Sequence, residues 1–172
     1  MKIKKKIILS SQRIYLKNFT KKNLIKRYFY WFKNNELLKY SRHRNNKYKY
    51  SYFLKYYLSK KNSDNLFFAI YEKKTNFFFG TITANINLIK RSADIGILIG
   101  DNNYLRKKYG TEAWKLLINY LFKNLRILKV KGGAKKTNKG MIKIFKSSKM
   151  KLLKSNLKEQ TKIYEIINAI KS

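Results

Sequence analysis

Between Ser92 and Leu117 the chain reads SADIGILIGDNNYLRKKYGTEAWKLL, a run whose residue types can bind an anion. Alternation over residues 92–100 puts Ala93, Ile95, Ile97 and Ile99 on one strand face and Asp94, Gly96, Leu98 and Gly100 on the other. Two glycines leave that second face almost bare, which marks a bulge or the close approach of a ligand. A turn rich in positive charge follows, with Arg106, Lys107 and Lys108. From Gly110 the positions 110, 113, 114, 117, 118, 121 and 122 form an uninterrupted helical stripe. Unpaired amides at such a helix start, with the positive end of its dipole, make an anion site.

Other elements must position this junction. RIYLKNF (13–19) alternates as a strand, and TKKNLIKRYFYWF follows as a helix with Thr20 as its N-cap. A short helical piece near NNELLKY and a longer one in YSYFLKYYLSKK come next, joined by the charged loop SRHRNNK. NLFFAIYEK (65–73) and FFFGTITANIN (77–87) form a hairpin through KKTN. ILKVKGGA (127–134) is a further strand, so strand, helix and strand between residues 92 and 134 make a βαβ unit with a parallel pair. TNKGMIKIFKSS is a second helix with Met141, Ile144 and Phe145 on one side. The tail MKLLKSNL and KIYEIINAIKS reads as two final strands, with a helix as the alternative for the last piece.

The 172 residues suit a single domain, 1–172, with its own core. A hydrophobic share of 44% argues for a folded chain despite a net charge of +34. Without cysteine there is no disulfide, thiolate nucleophile or cysteine metal site. The apolar stretch Ile7–Leu9 is too short for a secretory signal, and no segment suits a membrane span, so the expectation is a cytoplasmic protein without membrane partners. Forty-two Lys and Arg against eight Asp and Glu attract phosphate-bearing partners, nucleic acid among them through non-specific charge. Lysine is nevertheless scattered and rises with Ile, Asn, Tyr and Phe, which an AT-rich genome also explains. Oligomeric state is not legible in this composition.

ADIGILIGDNNYLRKKYGTEAWKLLINYLF followed by KVKGGAKKTNKGMIKIFKSSKMKL resembles the GNAT superfamily of acetyl-CoA-dependent N-acetyltransferases over about Arg13 to Leu157. It is most similar to the branch with ribosomal-protein N-terminal and amino-sugar acetyltransferases. The resemblance implies an α/β (α+β) GNAT fold: a mixed, mostly antiparallel central sheet with one parallel strand–helix–strand unit and helices on both faces. It also implies acetyl-CoA as co-substrate, no metal, and transfer of an acetyl group to a primary amine of a small molecule or protein. A nucleotide-linked amino sugar or a protein N-terminus suits a basic enzyme better than a polyamine does. A catalytically impaired GNAT-like protein that binds nucleic acid or acetyl-CoA is the alternative.

In the family the loop before the long helix offers its amides to the coenzyme diphosphate. Here that loop carries Leu105, Arg106, Lys107, Lys108, Tyr109, Gly110 and Thr111, and of the family's glycine-rich pattern only Gly110 fits. Lys108 stands at a glycine position, so the three cations either supply direct charge to the phosphates or record damage. Arg126 and Lys149 likewise replace helix-ending glycines. The resemblance gives Leu98, Ile99 and Gly100 the pantetheine arm and the oxyanion through their main chain. Asp94 is the first candidate for the base, with Glu36 and Glu72 behind it and Glu112 assigned to the helix dipole. Asn138 matches a coenzyme-contacting asparagine or is simply an N-cap. Phe145 falls where many members carry a general-acid tyrosine. Tyr40, Arg42, His43 and Arg44 fall at the acceptor entrance, although a lone loop histidine is commonly just solvated.

Overall fold

Alternating strands with apolar residues on both faces, such as LFFAIYE, must be covered from both sides, and the chain supplies helices for each. The computed structural model describes residues 6–41 and 49–169. Its order is β1 (Ile8–Ser10), β2 (Ile14–Asn18), α1 (Lys26–Trp31), α2 (Tyr50–Lys61), β3 (Leu66–Glu72), β4 (Phe78–Asn87), β5 (Ser92–Ile99), α3 (Tyr109–Lys123), β6 (Lys129–Lys135), α4 (Lys139–Ser147), β7 (Lys151–Asn156) and β8 (Thr161–Ile167). The eight strands form one sheet ordered β1-β2-β3-β4-β5-β6-β8-β7. Every neighbouring pair is antiparallel except β5 with β6. This is the α/β (α+β) architecture that the resemblance implied, a mixed, mostly antiparallel sheet with one parallel strand–helix–strand unit and helices on both faces.

Two cores lie on opposite faces of the sheet. One packs Trp114, Leu117 and Leu121 of α3 and Phe145 of α4 against Leu16, Phe68, Ile82 and Ile95. The other gathers Tyr28 and Trp31 of α1, Phe53 of α2, and Phe19, Phe67 and Phe78. Period-two alternation divides β3 between them, Phe68 and Ile70 facing one core and Phe67 and Ala69 the other. No helix among the described residues is long and apolar enough to cross a membrane.

Three expectations change. The helix predicted from Thr20 splits into a 3₁₀ turn, Lys21–Asn23, and α1. Asn23 closes a capping box with Thr20 and is buried while donating to the Tyr71 hydroxyl at 2.6 Å, a tertiary bond that ends the turn early. NNELLKY forms successive turns with no regular helix. Residues 8–10 pair with β2 as an edge strand that the short apolar run did not announce. The two final strands are borne out as β7 and β8.

All seven glycines have negative φ, whereas Asn76, Arg91, Arg106, Lys108, Arg126, Lys149 and Gln160 have positive φ. Arg126, at φ 52°, follows α3, and Lys149, at φ 58°, follows α4. A Cβ in this region costs about 1 kcal/mol, which glycine avoids. Arg126→Gly and Lys149→Gly together should therefore raise the melting temperature by roughly 4–8 °C in a thermal melt, at about 2–4 °C per kcal/mol. An unchanged melting temperature would mean that the backbone there carries no strain.

Candidate active site

Pairing between β5 and β6 stops at Asp94 with Lys131, and the two strands then diverge. The phase of β5 follows from one bond, Gly100 N–H to the Phe79 carbonyl at 2.8 Å. Antiparallel alternation commits Leu98 and Gly100 to β4 and turns the main chain of Ile97 and Ile99 toward the gap. The expectation for residues 98–100 is corrected accordingly. Ile99 keeps a main chain free for a ligand; those of Leu98 and Gly100 are spent on the sheet. Gly100 is not bare either, since a Cβ there would lie 1.9 Å from Cδ2 of Trp31. Its missing side chain makes room for that ring.

A cavity of about 340 Å³ passes through the divergence. On the α3/α4 side it reaches Trp114, Asn138 and Met141; on the α1/α2 side it reaches Tyr40, Tyr52 and Tyr56. Gly96 of β5 and Gly133 of β6 flank the opening. A Cβ at Gly133 would meet nothing within 4 Å, and one at Gly96 would meet only Thr83 Oγ1 at 3.5 Å. Glycine here keeps the passage open rather than relieving a crowded backbone. A shallower hollow of about 510 Å³ beside α1 includes Trp31 and Asp101 but no residue of β6, α3 or α4.

At the start of α3 the turn is built as an amide array. The N–H groups of Asn103, Tyr104 and Leu105 close on the Asp101 carboxylate and the carbonyls of Asp101 and Asn102. Leu105 is thereby corrected, because its amide is consumed within the turn. Among the described residues no acceptor takes the N–H of Arg106, Lys107 or Lys108, and the first intrahelical bond belongs to Glu112, donating to the Lys108 carbonyl at 3.0 Å. Tyr109, Gly110 and Thr111 thus keep the open amides of a helix start. Lys108, at φ 66° and ψ 5°, is the left-handed residue preceding the helix, and its side chain forms no capping bond.

Glu112 does more than face the dipole. It accepts from the Ser11 hydroxyl at 2.8 Å, from the Arg13 amide at 2.9 Å and from the Arg13 guanidinium at 2.8 Å. Burial opposes its ionisation, yet these donors prevail and hold the carboxyl below its ordinary range. Glu72 is similarly committed: the Thr75 hydroxyl first, and then those of Tyr104 and Tyr109, lower its pKa. A carboxylate so occupied is a poor proton acceptor, which removes Glu72 from the candidate bases. Glu36 is ion-paired with Lys39.

Asp94 is exposed, on the same sheet face as Gly96 and about 7 Å from it along the strand. It stands between Asn85 and Lys131 in register and does not line the cavity. Asn138 caps α4, its Oδ1 accepting from Met141 N–H at 3.1 Å, while also lining the cavity. Phe145 is corrected: it is fully buried against Trp114 and Tyr164, ring centroids 5.4 and 4.8 Å away, and cannot touch a ligand. Tyr40 lines the cavity, whereas Arg42, His43 and Arg44 lie outside the described residues.

Thr81, Thr83, Tyr52 and Tyr56 also line the cavity and were not among the sequence candidates. The first two were legible in FFGTITANIN, where the alternation that buries Ile82 and Ala84 turns both threonines to the other face. The tyrosines, four apart on α2, read as core by spacing. Burial and the neighbouring Tyr52 raise the pKa of Tyr56, against a hydrogen bond with Thr83, so its hydroxyl stays protonated at neutral pH. Among the described residues no cluster of His, Cys, Asp and Glu could hold a metal ion.

The fold recurs in solved proteins of low sequence identity. An acetyltransferase of the GNAT family from Bacillus anthracis is 14% identical with a TM-score of 0.80, covering 94% of this chain and 99% of that one. A spermidine N-acetyltransferase from Vibrio cholerae, solved with CoA and spermine, is 15% identical with a TM-score of 0.81, over 91% and 96% of the chains. A ribosomal-protein-S5-alanine acetyltransferase from Vibrio fischeri is 12% identical with a TM-score of 0.74, over 95% and 97%. No curated protein matches the sequence significantly. The acetyltransferase (GNAT) domain family matches residues 13–151, most of the chain, around the diverging strands and the amide turn. The chain therefore belongs to the GNAT acetyltransferase family.

Proposed function

We propose that this protein is an acetyl-CoA-dependent N-acetyltransferase. The observation that carries the reading is the passage where β5 and β6 part, opening on a hydroxyl-lined aromatic chamber, together with the open amides at the start of α3, where Gly110 lies beside Ile97 and Ile99 of β5. Acetyl-CoA supplies an activated acyl thioester. The amides of residues 106–111 and the cations of Arg106, Lys107 and Lys108 suit its diphosphate. The main chain of Ile97 and Ile99, turned into the gap, suits the amide-bearing pantetheine arm and the oxygen that gains charge during transfer. The hydroxyls of Tyr52, Tyr56, Thr81 and Thr83 are the groups that can hold the acceptor amine and its proton, while Asp94, outside the cavity lining, would act only through an intervening water. Phe145 has no proton to return to the leaving thiolate, so Tyr56 or water takes that part.

The acceptor is a primary amine, in first place that of a nucleotide-linked amino sugar and in second place a protein N-terminus. No Asp or Glu lines the acceptor chamber among the described residues, and the chain carries +34. A polyamine such as spermidine would bring several positive charges to a site with no counter-charge. The α-amine of a peptide is also neutral in a larger fraction at pH 7.5, with a pKa of about 8 against about 10 for an alkylamine. A second reading, a coenzyme-binding protein without transfer, is favoured by Phe145 and by the strained Lys108.

Calorimetric titration with acetyl-CoA, paired with thiol release in the presence of each acceptor, separates them. The enzyme reading expects binding heat, thiol release with the amino sugar or peptide, and roughly three- to tenfold weaker binding by Lys108→Gly through loss of one cation. Tighter binding by that variant would mark the lysine as damage. Heat without thiol release from any acceptor would favour the binding protein, and absence of heat would sink both readings.

A further inference from the structure

The turn that offers its amides contains two left-handed residues without glycine, Arg106 at φ 59° and Lys108 at φ 66°. Its own sequence does not favour that shape, since long side chains populate this region rarely. What surrounds it is unusually well bonded. Tyr104 precedes the turn and Tyr109 follows it, and their hydroxyls donate to the two oxygens of the same carboxylate, Glu72, at 3.1 Å each. Thr75 donates to Glu72 Oε2 at 2.6 Å, fixing the carboxylate from behind. Tyr104 stacks on Phe79 with centroids 4.1 Å apart, and Tyr109 meets the same ring edge-on at 5.5 Å.

The middle of the turn is held from the other side. Arg13 Nη1 donates to the Lys107 carbonyl at 3.2 Å, and the guanidinium lies 4.2 Å over the Tyr109 ring. Glu112 fixes that guanidinium through a 2.8 Å bond and a 2.7 Å ion pair. Both ends of the four-residue segment 105–108 are thus fastened to one side chain at the end of β3, and its centre to the start of β2.

We infer that Glu72 is a positioning residue for the anion site: by drawing Tyr104 and Tyr109 together it holds the strained turn in the shape that presents amides 106–111, a task glycine would otherwise perform. The inference rests on the acetyl-CoA reading for its purpose, but the clamp has a consequence that needs no ligand. Residues 106, 107 and 108 are Arg, Lys and Lys, three adjacent trypsin sites, and a held turn resists cleavage.

The test uses Glu72→Gln and the double variant Tyr104→Phe/Tyr109→Phe, which keeps both aromatic rings and removes only the two hydroxyls. Limited trypsinolysis without ligand, read by mass spectrometry, should show cleavage after residues 106–108 at least tenfold faster than in the unaltered protein, with other sites cut at the same rate. Coenzyme A affinity by calorimetry should fall about tenfold. In a Lys108→Gly background the same variants should cost only about threefold relative to Lys108→Gly alone, because glycine adopts the left-handed turn unaided. Unchanged cleavage at 106–108 would overturn the clamp, and faster cleavage with unchanged affinity would overturn its role in positioning. Faster cleavage in a protein that binds no coenzyme A even unaltered would keep the clamp and discard the cofactor reading instead.

Discussion

Gly133→Leu should lower acetyl transfer at least 100-fold while leaving the fold intact. The position is exposed on β6, paired with Ile163 of β8, and a Cβ there meets nothing within 4 Å, so the strand accepts a side chain without rearrangement. Leucine is also a better strand residue than glycine. Its neighbour Gly132 faces Trp114 and Phe145, so alternation aims residue 133 at the opposite, α1/α2 side. A leucine side chain would occupy a large part of the 340 Å³ passage just where amine and thioester must meet. Displacing reacting groups by about 1 Å can cost on the order of 100-fold. Thiol release measures the loss, a thermal melt should show no fall, and coenzyme A should still bind at the α3 end. Normal turnover in this variant would mean that the chemistry lies elsewhere.

The adjacent substitution, Gly132→Ala, should do the reverse and break stability. Here the added Cβ would lie 2.8 Å from Cε1 of Phe145 and 2.8 Å from Cζ2 of Trp114. Neither ring has space to retreat: both are almost fully buried, 5.4 Å apart, and the Trp114 indole N–H donates to Met150 Sδ at 3.3 Å. Overpacking of this kind costs about 1–3 kcal/mol, and with no yielding neighbour the upper part of the range applies. The melting temperature should fall by roughly 5–10 °C. A shift below 1 °C would show that the core near α4 is loosely packed. Opposite outcomes at consecutive glycines would locate the passage on one face of β6 and the core on the other.

Much of this arrangement was written locally. YSYFLKYYLSKK is α2 to the residue, and the stripe beginning at Gly110 is the buried face of α3, where amphipathic spacing survives because one side of the helix must be covered. The bare face of β5 was half legible. Gly96 does open onto the cavity, but Gly100 is filled by Trp31 of a helix about 70 positions earlier, a contact no local pattern encodes. Likewise Phe145 could be placed on the apolar side of α4, yet its burial beneath Trp114 and Tyr164 depends on a strand that follows it. By sequence Glu72 was a reserve candidate for the base and Glu112 a partner of the helix dipole. Apart from Thr75, their partners lie 32 to 101 positions away, so only folding revealed that both are structural anchors of the anion turn.

The sequence alone determined most element types and the cationic turn, which are set by neighbours within a dozen or so residues, and its longer pattern carried the parallel unit around α3 and the family. The tertiary structure decided which glycines face a ligand and which face a ring, which amides stay free, and which acids remain available for chemistry. The physical reason is that a passage through a sheet exists only where two strands stop pairing. Where β5 and β6 part is fixed by every element packed against them together.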